Sequence, residues 1–173
     1  FYGMGKGKLM SQLGVNLETA SELLASYNER VPFVKQLMND TMNKAGKKGY
    51  LSTLEGRRCR FDQWEPTNEW GQKSLPLAEA QQQYGEHMIK RAWTYKALNR
   101  LIQGSAADQT KKAMLELDKE GYLAHIQVHD ELDFSVASEE DKAKIKDIME
   151  NCVELSVPSK VDVECGDNWG DAG

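Results

Sequence analysis

The sequence has no apolar run that approaches the length of a membrane span, and no signal-peptide pattern opens it. Cysteine is scarce. Cys59, Cys152 and Cys165 are scattered, odd in number, and form no Cys-x-x-Cys pair. Neither a disulfide framework nor a zinc site is suggested, and a reducing cytoplasm fits. An overall basic excess is also lacking, because the net charge is −5. What remains is ordinary for a soluble globular protein: 173 residues, 40% hydrophobic and 28% charged. That length makes one good core or two small lobes.

The net charge hides an asymmetry. Residues 1–115 carry 17 Lys and Arg against 11 Asp and Glu, a net of +6. Residues 116–173 carry 5 against 16, a net of −11. Nucleic-acid binding needs a local basic footprint, not a basic total. Two solvated faces of opposite sign would give the same numbers.

The most informative stretch is Gln127-Val128-His129-Asp130-Glu131-Leu132-Asp133-Phe134-Ser135-Val136. Apolar and polar residues alternate on both sides of a short polar tip. This predicts a β-hairpin with one buried face. His129, Asp130 and Glu131 share the tip. Adjacent ionised carboxylates raise each other's cost of ionisation, and a divalent cation removes that cost. Mg²⁺ takes one or two protein carboxylates and fills its remaining positions from water and substrate phosphates. Asp is also common in plain solvated turns, so the tip alone leaves both readings open.

Elsewhere the pattern predicts elements. Asn16 caps a helix through Tyr27, and Pro32 opens another that Gly46 ends. Gly49 to Phe61 reads as a second hairpin, Tyr50–Thr53 against Arg57–Phe61 across Glu55-Gly56. Its Arg57, Arg58 and Arg60 cluster with Lys47 and Lys48. Guanidinium forks match phosphate oxygens, and a solvated basic hairpin is the other reading. Residues 62–75, with Trp64 and Trp70, read as a loop. Ala78 to Ile102 reads as a long helix that resumes from Ser105 to Glu120. Ser138 caps a helix with acids in its first turn. Val161 to Cys165 alternates as a last strand beside the acidic hairpin.

Five stretches together resemble the family A (polymerase I-like) DNA polymerases. Gln127 to Leu132 is similar to the palm motif C. Phe1-Tyr2-Gly3-Met4-Gly5 is similar to the end of the fingers motif B. Thr53-Leu54-Glu55-Gly56-Arg57-Arg58 resembles the Thr-x-x-Gly-Arg-Arg segment. Asn99 to Asp108 resembles the Asn-x-x-x-Gln-Gly-Thr-Ala-Ala-Asp helix. Gly166 to Trp169 resembles the Gly-x-x-Trp ending. The matches run in the family's order over nearly the whole chain.

The resemblance implies an α+β fold: an antiparallel palm sheet with the motif C hairpin backed by helices, plus a partial helical fingers subdomain. Residues 1–75 would be fingers with the basic hairpin, and 76–173 palm. It implies template-directed DNA synthesis, nucleotidyl transfer from a dNTP to a primer 3′-OH with two Mg²⁺ ions. Asp130 would bridge the metals, with Glu131 a weaker ligand or outer partner. His129 would contact the primer strand, and Tyr2 would lie at the nucleotide and template site. Arg57 and Arg58 would hold DNA backbone. Asn99 and Gln103, four apart on one helix face with Tyr95 four earlier, would read minor-groove acceptors that every base pair presents. Tyr95 stands where the family usually has Arg.

The family's motif A carboxylate and the motif B Lys have no counterpart here. The resemblance therefore implies a carboxy-terminal piece whose partners are primer-template DNA, dNTP and the remaining polymerase portion. A bacterial or phage-infected cytoplasm follows, with no membrane. Two alternatives stay open: a non-catalytic DNA-binding or assembly fragment, and a piece of a single-subunit RNA polymerase.

Overall fold

The computed structural model describes residues 5–69 and 71–172. Tyr2 and Trp70 lie outside the described residues. The chain forms two compact units, Phe1–Gln103 and Gly104–Gly173. The division falls downstream of the 75/76 boundary and inside a helix. The charge asymmetry persists across it, at +5 and −10. Residues 1–103 carry 15 Lys and Arg against 10 Asp and Glu, and residues 104–173 carry 7 against 17.

The first unit opens with helices α1 (Lys6–Leu13), α2 (Leu17–Arg30) and α3 (Pro32–Lys48). Asn16 caps α2, its side-chain oxygen accepting from the Thr19 N–H at 2.9 Å. Pro32 occupies the first turn of α3, where its missing N–H costs nothing. Gly46 lies inside α3 and does not end it. Gly49 does, in the left-handed region at φ 77°, with its N–H on the Ala45 carbonyl at 2.9 Å.

Strands β1 (Tyr50–Ser52) and β2 (Arg58–Arg60) form the expected hairpin, with Leu51 opposite Cys59. The Phe61 N–H then donates to the Gly49 carbonyl at 2.8 Å, tying the hairpin's base to the end of α3. Phe61, 1% exposed, is the largest side chain of a core with Ala45, Leu51 and Ala97, flanked by Met42, Cys59 and Leu101.

The next stretch departs from the pattern reading. Residues 62–75 are not all loop, because β3 (Trp64–Pro66) pairs antiparallel with β4 (Ile89–Arg91). The long helix from Ala78 does not form. Helix α4 (Leu77–Tyr84) stops at Gly85, whose φ is 88°. The chain then makes β4 and a 3-10 turn at Thr94–Lys96 before α5 (Ala97–Lys119) begins. Trp93, at φ 58°, redirects the backbone into that turn. Local periodicity lost to the pairing of β4 with β3.

The second unit holds α5 from Gly104 onward, β5 (Ile126–Val128), β6 (Glu131–Asp133) and α6 (Glu139–Asn151). Leu117, Ala113, Ile145 and Val153 are buried. The Ser138 hydroxyl caps α6 by accepting from the Asp141 N–H at 3.1 Å, and it donates to that residue's carboxylate at 2.7 Å. The Tyr122 hydroxyl donates to the same carboxylate at 3.0 Å. Residues 161–165 are not a strand. The Val161 N–H goes instead to the Glu150 side chain at 3.0 Å. The class is α+β, but the described strands form three separate two-stranded ribbons and no continuous palm sheet.

Candidate functional site

In the first unit, Thr53 organises the tip of the basic hairpin. Its N–H donates to the Arg57 carbonyl at 2.9 Å, and its hydroxyl accepts from the Arg57 N–H at 3.0 Å. Gly56 takes φ 82° in the turn, which a side chain would resist. Strand alternation sets Cys59 toward the core and leaves Arg58 and Arg60 exposed, alongside exposed Arg57. The Arg58 guanidinium lies over the Tyr50 ring, 4.8 Å from its centroid. This stacking restrains a long side chain on the exposed face of the strand.

Asn99 and Gln103 lie one turn apart on α5, and both are exposed. Ala97 and Leu98 face the core, which fixes the amides outward. Tyr95 is not on that helix. It sits in the 3-10 turn before α5, so four-residue helical spacing does not connect it to Asn99. Its ring is exposed, with the Lys96 ammonium 5.5 Å from its centroid.

In the second unit, β5 and β6 are joined by His129 and Asp130 alone, with Val128 opposite Glu131. His129 adopts φ 55°, a left-handed conformation uncommon outside glycine but one that His takes more readily than most residues. The Gln127 side-chain amide donates to the His129 carbonyl at 3.1 Å and braces the turn. Below the tip, the His125 N–H donates to the Asp133 carbonyl at 2.8 Å, and the His125 ring nitrogen lies 3.1 Å from the Ser135 hydroxyl. Asp130 thus occupies the turn and Glu131 the first position of β6. Both are exposed, as is His129.

The expected buried face of this hairpin is not seen within its unit. Ile126 is 42% exposed, Val128 37% and Val136 44%, while Leu132 and Phe134 are half-buried. The register sets Ile126 and Val128 opposite Asp133 and Glu131, and Leu132 opposite Gln127, so the apolar residues of the two strands lie on opposite faces.

Two neighbouring oxygen-donor carboxylates suit Mg²⁺, which asks for one or two from protein. Among the described residues no group of three or more His, Cys, Asp or Glu could enclose a metal. The donor set therefore fits part of a metal site. Pattern reading singled out the tip, the arginines and the amides. It passed over Gln127 as a brace, and Arg91 and Arg100, because their roles depend on contacts between distant segments.

A basic hairpin beside an amide-bearing helix, and a carboxylate-tipped ribbon, are the exposed polar features of this α+β chain. The family model for DNA polymerase family A matches residues 1–171, and the chain belongs to that family. It is 43% identical to the DNA-directed DNA polymerase of Pseudomonas phage M6 over 86% of this chain and 19% of that one. It is 33% identical to DNA polymerase I of Lactococcus lactis subsp. cremoris over 99% of this chain and 18% of that protein. Among solved structures, the POL domain of Pol1 from M. smegmatis, in complex with DNA primer-template and dNTP, matches 99% of this chain and 29% of its own. The TM-score is 0.75 at 31% identity. The chain thus spans about a fifth of the curated relatives it matches. No helix among the described residues is long and apolar enough to cross a membrane.

Proposed function

We propose that this chain provides the motif C side of a DNA polymerase site that transfers nucleotides from dNTP to a primer 3′-OH. One observation carries the reading. Asp130 and Glu131 stand together and exposed at the tip of a two-residue β-turn, in a chain matched along its length by the family A model.

When bound, Mg²⁺ would activate the primer oxygen and offset charge on the leaving pyrophosphate. Asp130 would hold the metal, and Glu131 would be a weaker ligand or orient its water. His129, fixed by the turn, would contact the primer strand near its end. In the first unit, Arg57 and Arg58 would grip DNA backbone while Asn99 and Gln103 read groove acceptors. Tyr95, exposed beside α5, is assigned a neighbouring duplex contact from the 3-10 turn. Tyr2 would border the nascent pair. Fingers would cover 1–75 and palm 76–173.

Two cations about 3.5–4 Å apart require more carboxylate oxygen than Asp130 and Glu131 supply. The remaining polymerase portion, with the motif A carboxylate and motif B Lys, is the proposed partner. The test is primer extension by the 173-residue chain with and without the corresponding upstream portion of the phage relative. Mg²⁺-dependent extension only in the mixture supports the reading. Extension by the chain alone would show that another carboxylate of this chain completes the site. No extension in either case favours the non-catalytic DNA-binding alternative.

A further inference from the structure

Two arginines that the proposed function leaves without a role share one arrangement. Arg91, at the end of β4, sets its guanidinium over the Trp64 ring, 4.6 Å from the centroid. Its Nη1 donates to the Phe61 carbonyl at 2.8 Å. Its Nε is buried and makes no hydrogen bond among the described residues. A β-carbon on Gly49 would stand 2.6 Å from its Cζ, so the guanidinium fits closely against the end of α3.

Arg100, in the first turn of α5, stacks over the Phe61 ring at 5.0 Å and reaches the Trp93 ring at 5.9 Å. Its Nη1 lies 3.5 Å from the Arg60 carbonyl. Among the described residues neither cation is paired with a carboxylate.

A cation taken partly out of water ordinarily takes an anionic partner. Here ring faces and carbonyl oxygens fill that role. Both carbonyls belong to consecutive residues, Arg60 and Phe61, at the base of the basic hairpin. One donor reaches them from β4 and the other from α5. Through Arg100 the hairpin bearing Arg57 and Arg58 is fastened to the helix bearing Asn99 and Gln103, and through Arg91 to the strand that leads toward that helix. Duplex DNA makes such a spacing matter, because its phosphates and its groove floor are a fixed distance apart.

We propose that Arg91 and Arg100 are positioning residues for duplex binding, which set the phosphate-facing hairpin against the groove-facing helix without touching phosphate. The proposal rests on the DNA-interface reading of Arg57, Arg58, Asn99 and Gln103. Lys cannot substitute, since a point charge lacks the planar fork that stacks and donates at once.

The test measures binding of the 173-residue chain to a fluorescein-labelled primer-template by anisotropy across a series of KCl concentrations. Arg57→Ala and Arg58→Ala should flatten the salt dependence by about one unit of slope per lost contact. Arg91→Gln and Arg100→Gln should weaken binding about 3–10-fold at every salt with the parent's slope. Arg100→Lys should show a similar loss despite its retained charge. Circular dichroism checks folding. If Arg91→Gln unfolds, the half-exposed Arg100 carries the test.

A lowered slope in Arg100→Gln, with affinity restored by Arg100→Lys, would make Arg100 a direct phosphate contact and overturn the proposal. Unchanged affinity in the folded Gln variants, while Arg57→Ala and Arg58→Ala behave as expected, would reduce the clamp to a stabilising contact. An unaltered slope in Arg57→Ala and Arg58→Ala, or no salt-dependent binding by the parent chain, would remove the interface reading and the positioning role with it.

Discussion

At Gly49 the backbone has φ 77°, its N–H closes α3, and its carbonyl accepts from Phe61. A β-carbon there would meet both a disfavoured backbone region and the Arg91 guanidinium. Gly49→Ala should cost about 1–2 kcal/mol from the left-handed conformation alone, before any displacement of Arg91. A lowered denaturant midpoint with unchanged m-value checks this; an unshifted midpoint would mean the turn relaxes freely. In the proposed function Asp130 is the corresponding position. Asp130→Asn keeps the shape of the side chain and removes its charge. In a polymerase assembled with this chain it should abolish primer extension while duplex binding persists. Glu131→Gln should be milder, because a neighbouring group with a weaker metal contact has less to lose. Extension within tenfold of the parent in Asp130→Asn would take that residue out of the mechanism.

The elements differ in how far the sequence revealed them. Asn16 and Ser138 announced their helices because a cap is a local bargain between one side chain and a nearby N–H. The basic hairpin and the acidic hairpin were legible for the same reason: tight turns and alternation act over a few residues. The ribbon of β3 and β4 was not, since Trp64 and Arg91 find each other only across 26 intervening residues. Once that pairing forms, it takes Ile89–Arg91 out of helix and strands Tyr95 in a 3-10 turn. Val161–Cys165 failed as a strand because alternation supplies a pattern and not a neighbour to pair with. Of the amide stripe, Asn99 and Gln103 survive on α5. Gln103→Ala should weaken extension and mismatch discrimination, costing about 1–3 kcal/mol if the amide is buried against the terminal pair. Single-nucleotide kinetics on matched and mismatched primers would show it; unchanged fidelity would leave the amide as a solvated side chain.

At the scale of the whole molecule, the second unit carries most of the negative charge and several carboxylates that depend on particular partners. The Ser138 and Tyr122 hydroxyls hold the Asp141 carboxyl below its ordinary range, the Lys144 ammonium does so for Glu120, and the Val161 N–H for Glu150. A lowered folded-state pKa contributes stability that is present above the unfolded value and lost as pH falls through the folded one. Acid should therefore loosen this unit below about pH 4, near ordinary carboxylate values. Tyr122 fluorescence and circular dichroism, followed between pH 6 and 2, should report that loss; Asp141→Asn should begin from lower stability and respond less steeply. The first unit offers a different kind of consequence. The Ala92 N–H donates to the Gln63 carbonyl at 2.8 Å, and the Thr67 N–H to the Met88 carbonyl at 2.8 Å. The excursion between them is pinned at this doorway and again where Leu75 pairs with Trp64. Chain length beyond a pinned doorway is thermodynamically cheap. The exposed residues 67–69 and 71–73, ahead of Leu75, therefore form a natural splice point, where insertions and deletions could accumulate while the arginine clamp at the threshold kept its geometry.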